Sequence, residues 1–345
     1  MFVSGEHVRR STRVHDQLAS SIAAKDGISS LETEVRVCAH HHDLSAPERA
    51  PPPTPAEPAP TRVRAHKQEP GRCPDGRQLT SPPDRGYGVR LHGELALVTG
   101  STAGIGKAIA VEFAAHGARV VVHGRDAGRG ATVVEQIAAA GGDATFVAAD
   151  LGSEAACEQL VADAAGALGG LTVLVNNAVA GVVDGGDSGI ADMDTDTWEA
   201  TLRVNVTAPM WLCRSSIPHL RAAGHGSIIN ISSRQGEKPS AGLAAYATSK
   251  GGLNALTRAI AVEEAAYGIR CNTISPGYVR NERRDADMSD ERRARLEGMH
   301  LTRLGEARDV AFAAVYLASA ESEFLTGINL ELDGGGSNAR AAVLG

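Results

Sequence analysis

Tyr246 and Lys250 stand four residues apart in Tyr246-Ala247-Thr248-Ser249-Lys250, a spacing that puts both on one face of a helix. A phenol, with an ordinary pKa of about 10, is a poor acid–base catalyst at neutral pH. A neighbouring ammonium stabilises the phenolate, and proton exchange with an alcohol becomes feasible. Thirteen residues before Tyr246 comes Ser233, at the end of an apolar run through Asn230-Ile231-Ser232. A hydroxyl there can hydrogen-bond the oxygen of a substrate. Alternation along a strand points Ser232 and Ser233 to opposite sides. Asn205 lies between Val204 and Val206 in a helical stretch, where a polar amide is costly unless it has partners. Tyr-x-x-x-Lys also describes an ordinary exposed helix pair, and a lone Asn an ordinary structural hydrogen bond. Placement decides between these readings.

The elements that must do the placing are short β-branched runs at Leu95–Thr99, Arg119–His123, Thr145–Ala149, Val173–Asn176, Ser227–Ser232, Ile269–Ser275 and Ile328–Leu332. Helical stretches alternate with them at Lys107–His116, Ala131–Ala140, Glu154–Ala167, Trp198–Arg221, Leu243–Tyr267 and Ala307–Ala318. This alternation predicts an α/β, doubly wound, mostly parallel seven-stranded sheet with helices on both faces, in one domain over residues 89–345. Ligands of such folds gather at the carboxyl ends of the strands, where loops meet helix N-termini.

The first run leads into Thr99-Gly100-Ser101-Thr102-Ala103-Gly104-Ile105-Gly106, and a helix follows. Gly100 can take a backbone shape closed to other residues, Gly104 lets a pyrophosphate approach the main chain, and Gly106 allows close packing of helix on strand. Strand, glycine turn and helix in that order predict a dinucleotide site. The second run ends in His123-Gly124-Arg125-Asp126, so Gly124 stands where a carboxylate would hold the adenosine ribose of NAD. Arg125 follows, and a guanidinium grips a 2′-phosphate through paired hydrogen bonds. NADP is therefore expected over NAD, with Asp126 the residue that argues the other way. Asp150, closing the third run, either accepts from the adenine amine or caps the next turn.

Composition permits an enzyme: 345 residues with 43% hydrophobic content suffice for a large core. Of the formal charge of -7, residues 1–90 carry 13 basic and 11 acidic side chains, so the remainder is acidic. An acidic body argues against nucleic acid as a partner. Cys38, Cys73, Cys157, Cys213 and Cys271 form no CxxC, so neither a disulfide framework nor a zinc site is expected, and a reducing cytoplasm fits best. No run reaches the roughly 18 apolar residues of a membrane helix, and Arg9-Arg10 lacks the apolar stretch of an export signal. Eleven of the 15 prolines precede residue 84. Residues 1–88 thus read as a disordered extension, either a flexible tail or an upstream stretch outside the working protein. His40-His41-His42 within it reads as solvated, and no metal site is expected.

Thr99-Gly100-x-x-x-Gly104-x-Gly106, Asn176-Asn177-Ala178, Asn205, Ser233, Tyr246-x-x-x-Lys250, Pro276-Gly277 and Asp333-Gly334-Gly335 occur in one order. Together they resemble the short-chain dehydrogenase/reductase family over residues 91–338. The resemblance implies a Rossmann-fold oxidoreductase passing hydride between NADP(H) and a carbonyl or secondary alcohol, such as a 3-oxoacyl thioester, a sugar-like ketone or a polycyclic one. It implies Tyr246 as the acid–base, Ser233 orienting the carbonyl, Lys250 also binding the nicotinamide ribose, and Asn205 holding a relay water. Implied cofactor contacts are Gly100, Ser101, Thr102, Gly104, Ile105 and Gly106 in the loop, then Arg125, Asp150 and Leu151. Asn177 and Ala178 join them, with Asn176 and Ala178 beneath the adenosine side, as do Pro276, Gly277, Val279 and Asn281. Family members pair through the long helices that hold Asn205 and Tyr246, so a homo-oligomer, dimer or tetramer, is expected.

Two residues depart from the family pattern. Val179 replaces the usual glycine after Asn176-Asn177-Ala178, and Asn281 replaces a usual threonine. Tyr278 either lines the cleft or packs. The charged segment Asn281–His300 reads as a solvated helix and, by resemblance, as a lid whose arginines would favour an acidic substrate. The acidic, glycine-rich loop Val182–Asp196 pulls the other way. The rival readings are an NAD-dependent alcohol dehydrogenase of the same family and a non-catalytic nucleotide sensor; retention of Ser233, Tyr246, Lys250 and Asn205 argues against the sensor.

Overall fold

The computed structural model describes residues 89–181, 187–281 and 285–338. The extension 1–88 with its histidine run, Cys38 and Cys73, part of the acidic loop (182–186) and part of the charged segment (282–284) lie outside the described residues.

Seven strands are formed by β1 (Leu95–Val98), β2 (Arg119–Gly124), β3 (Asp143–Ala148), β4 (Val173–Asn176), β5 (Gly226–Ile231), β6 (Ile269–Pro276) and β7 (Asn329–Leu332). They make one sheet in the order β3-β2-β1-β4-β5-β6-β7, and all of the pairings are parallel. The doubly wound α/β fold is found, with the sheet wholly parallel. The order reverses between β1 and β4, so the loops leaving these two strands diverge and open a crevice.

Alternation along the strands divides the core. Ala96, Val98, Val120, Val122, Val173 and Val175 face one side, against Ile109 and Phe113 of α1 (Gly104–Ala115), Val133 of α2 (Ala127–Ala139) and Val310 of α8 (Ala307–Ala318). Leu97, Val121, Leu174 and Ile228 face the other, against Leu160 of α3 (Glu154–Leu168), Leu212 of α5 (Ala208–Ala223) and Ile260 of α6 (Ala244–Glu264). Burial on both faces explains why the strands read as continuous apolar runs. Each fully buried Val, Leu, Ile or Phe contributes about 1.5–3 kcal/mol.

One expected element is corrected. Trp198–Arg221 is not a single helix but α4 (Thr195–Leu202), a wide turn at Arg203–Thr207 and α5. In this turn Ala208 N donates to Arg203 O, five residues back. The cause is Pro209, which has no N–H to close the α-helical bond on Asn205 four residues earlier. Within the charged segment, α7 (Asp290–Gly298) has no buried residue and is capped by Ser289, which agrees with a solvated helix. No helix among the described residues is long and apolar enough to cross a membrane.

Candidate active site

The glycine loop is built from inside the protein. Gly100 has φ +62°, and a Cβ there would stand 2.9 Å from the Cα of Ala178, so only glycine lets the loop after β4 close on it. A Cβ on Gly106 would lie 2.4 Å from Gly100 O and 2.3 Å from Asn177 Nδ2. Gly106 therefore seats the helix against the loop rather than against the strand. Asn177 clamps the turn, its Nδ2 donating to Thr99 O at 2.9 Å and Gly100 O at 3.0 Å. Thr99 Oγ1 accepts from the N–H groups of Asn177 and Ala178. His123, not singled out as a site residue in the sequence, joins the loop: its Nδ1 accepts from Gly100 N at 3.0 Å.

Several residues expected at the cofactor have partners within the fold. Ser101 donates its N–H to His123 O and its hydroxyl to Val98 O, while accepting from His123 N. Both of its groups are thus engaged within the fold. Leu151 is buried in the core. Asn176 is also buried, its Nδ2 donating to Asn230 Oδ1 at 2.8 Å. The N-terminus of α1, by contrast, is open. Its N-cap Ala103 makes no side-chain bond, and no acidic residue occupies the first turn. Uncapped N–H groups at the positive end of a helix suit a pyrophosphate, so the residues present fit a dinucleotide.

At the adenosine end Gly124 is buried and Arg125 exposed. Asp126 turns away from this place: it caps α2 by accepting from Arg129 N and pairs with the Arg129 guanidinium, each at 3.0 Å. These bonds, the Arg129 N–H first, hold its carboxyl below the usual range. Arg125 has no hydrogen bond or ion pair among the described residues. Asp150 caps its own turn through Gly152 N at 3.1 Å.

The proton-transfer candidates converge from three elements. Lys250 is buried, its Nζ 2.8 Å from Ile231 O at the end of β5 and 5.6 Å from the centroid of the Tyr246 ring. Burial pushes its pKa down to about 8. Ser232 points inward, its hydroxyl donating to Lys250 O at 3.2 Å. Ser233 points outward, and its Oγ accepts from Gln235 N at 3.2 Å. Asn205 sits in the wide turn, buried, and finds the partners it needs. Its Oδ1 accepts from Ala180 N, and its Nδ2 donates to Ala180 O and to Ser249 Oγ. Ser249, not singled out in the sequence, passes this link on to Tyr246 O at 2.7 Å.

The segment after β6 closes the site. A Cβ on Gly277 would stand 2.8 Å from the Cα of Asp333, which explains the pairing of Pro276-Gly277 with Asp333-Gly334-Gly335. Val279 forms a parallel bridge with Gly305. The Asn281 amide comes to the glycine loop: Nδ2 lies 3.6 Å from where a Gly104 Cβ would be. Tyr278 is held by its hydroxyl, which donates to Asp285 at 2.6 Å. Val179 is 41% exposed.

The short chain dehydrogenase family model matches residues 94–292. The chain is 38% identical over 248 residues to 2,5-dichloro-2,5-cyclohexadiene-1,4-diol dehydrogenase LinX of Sphingobium indicum, covering 72% of this chain and 98% of that protein. A 3-oxoacyl (acyl-carrier-protein) reductase from Agrobacterium tumefaciens C58, solved with NADP bound, superposes with a TM-score of 0.67 at 31% identity, over 71% of this chain and 95% of that one. A 7α-hydroxysteroid dehydrogenase complexed with NADH and 7-oxo glycochenodeoxycholic acid gives a TM-score of 0.67 at 32% identity, over 72% and 96%. The chain belongs to the short-chain dehydrogenase family. It is an NAD(P)-dependent oxidoreductase acting on carbonyl and alcohol groups.

Proposed function

We propose that this enzyme is an NADP(H)-dependent ketone reductase, with a 3-oxoacyl thioester or a comparable cyclic ketone as substrate. The observation that carries the cofactor choice is the diversion of Asp126 to Arg129, which leaves Arg125 beside Gly124 to receive a 2′-phosphate. The substrate class is supported by the reductase and hydroxysteroid relatives.

Gly100, Thr102, Gly104, Ile105 and Gly106 would hold the pyrophosphate at the head of α1, with Arg125 and Asp150 at the adenosine end. Ala178 would lie beneath the adenosine side, and Pro276, Gly277, Val279 and Asn281 would line the nicotinamide side. Bound NADPH supplies a hydride to the carbonyl carbon. Tyr246 then gives its phenolic proton to the carbonyl oxygen and recovers one from solvent. Ser233 donates a hydrogen bond to that oxygen; the N–H of Gln235 already occupies its acceptor side, which leaves the O–H to point outward. Lys250 stabilises the phenolate left behind. The Asn205 amide donates both of its hydrogens within the protein, so its part is to fix the wide turn and the segment at Ala180, with any relay water held through other atoms.

Catalysis in this reading is confined to residues 89–345, in a cytoplasmic homo-oligomer paired through α5 and α6. The deciding experiment follows NADPH and NADH absorbance with a panel of 3-oxoacyl thioesters, oxosteroids and cyclic diketones, with Tyr246→Phe as control. Oxidation of NADPH by a panel member, lost in Tyr246→Phe, is expected. Full turnover by that variant would refute the mechanism.

A further inference from the structure

The helix that carries Tyr246 and Lys250 is capped from elsewhere in the chain. Its own N-cap residue, Leu243, offers no side-chain acceptor. The first intrahelical bond runs from Ala247 N to Leu243 O, so the N–H groups of Ala244, Ala245 and Tyr246 have no partner inside the helix. Ser188 O takes the first at 3.2 Å. Asp187 takes the other two, Oδ1 accepting from Ala245 N at 3.2 Å and Oδ2 from Tyr246 N at 2.9 Å. Asp187 Oδ1 also accepts from Ser188 N at 2.9 Å, which holds the carboxylate to its own loop.

We infer that Asp187 is a positioning residue for proton transfer, fixing through the main chain of Tyr246 the place where the phenol stands. The inference rests on the role given to Tyr246 above. The Tyr246 peptide is gripped at both ends: Asp187 holds its N–H, and Ser249, itself held by Asn205, holds its C=O. A carboxylate suits this place for two reasons. Its two oxygens reach two adjacent N–H groups, and its charge complements the positive end of the helix. Lys250 is anchored separately, one turn further along, to Ile231 O. Loss of Asp187 therefore loosens Tyr246 while leaving Lys250 and the glycine loop in place.

The test compares Asp187→Ala and Asp187→Asn with Asp194→Ala, Tyr246→Phe and the wild type, using NADPH and the fastest carbonyl of the panel. Asp194 caps α4 through Thr197 N at 2.9 Å, so its removal deletes a comparable cap that does not touch Tyr246. For Asp187→Ala, kcat should fall by about tenfold to a hundredfold, the scale of a misplaced reacting group. Its NADPH Kd, read by fluorescence, should stay within about twofold. Asp187→Asn, which keeps one acceptor, should recover a large part of the lost kcat, and Asp194→Ala should keep the wild-type kcat. The inference is overturned if Asp187→Ala keeps kcat within about twofold, if NADPH binding weakens as much as kcat, or if Asp194→Ala loses as much. Should Tyr246→Phe itself turn over normally, the assignment of Tyr246 fails. An inactive Tyr246→Phe beside an unimpaired Asp187→Ala refutes the role of Asp187 alone.

Discussion

Lys250 donates to the main-chain carbonyl of Ile231 at 2.8 Å, which ties the amine to the end of the interior strand β5. Burial is the cause that brings its pKa down to about 8. The ammonium is the form that supports the phenolate. In the reduction direction, kcat/KM should therefore decline as pH rises through about 8, and Lys250→Arg, which cannot lose its charge in this range, should abolish that limb at whatever rate it retains. A limb unchanged in Lys250→Arg would assign the titration to another group.

His123 is buried with Nδ1 accepting from Gly100 N and Nε2 3.3 Å from Ala149 O, an arrangement for the neutral ring protonated on Nε2. Burial pushes its pKa down from 6.5 to about 4. Between those values the unfolded chain binds a proton that the folded chain refuses. Stability is thus lost as pH falls through 6.5, and the full penalty, about 3 kcal/mol, is reached below 4. Urea unfolding from pH 7 to pH 4 should show a steeper loss in the wild type than in His123→Gln. Parallel curves would refute the assignment.

Two glycines should respond to alanine with opposite signs. Gly106→Ala drives a methyl to 2.4 Å from Gly100 O, and a cost of about 3 kcal/mol with loss of NADPH binding is expected. Gly166 lies exposed inside α3 with nothing within 4 Å of an added Cβ, so Gly166→Ala should stabilise by about 1 kcal/mol. Thermal or urea unfolding of both variants checks the pair.

Removing the guanidinium of Arg125 should weaken NADPH binding by about tenfold or more while NADH binding stays nearly constant, because only the 2′-phosphate loses a partner. Calorimetric titration of Arg125→Ala with both cofactors measures this. An NADPH affinity that does not change sinks the cofactor choice.

Much of the architecture was legible because β4 and its neighbours bury both faces and so announce themselves as β-branched runs. The glycine loop was legible because its conformation demands glycine at Gly100. The break at Arg203–Thr207 was not: apolar periodicity runs through Val204 and Val206, and only the missing N–H of Pro209 ends the ladder. Strand alternation did foresee that Ser232 and Ser233 point to opposite sides, Ser232 being turned inward on Lys250 O. The same reasoning could not sort Ser101 or Asn176, because their directions depend on partners, His123 and Asn230, that only the folded chain brings near. Asp187 escaped notice for a related reason, lying 59 residues from the N–H it caps.

Gly124 has a bearing on how coenzyme choice can drift among descendants of this sequence. A Cβ there would sit 2.6 Å from Thr102 Cγ2, and a β-branched side chain has few rotamers into which to retreat. An acidic residue arriving first at position 124 would meet that methyl and impair the loop before it could grip a ribose. A smaller residue arriving first at position 102 removes that clash. The order of the two replacements is therefore constrained, and lineages that exchange one coenzyme for the other should pass through the change at 102 before the change at 124.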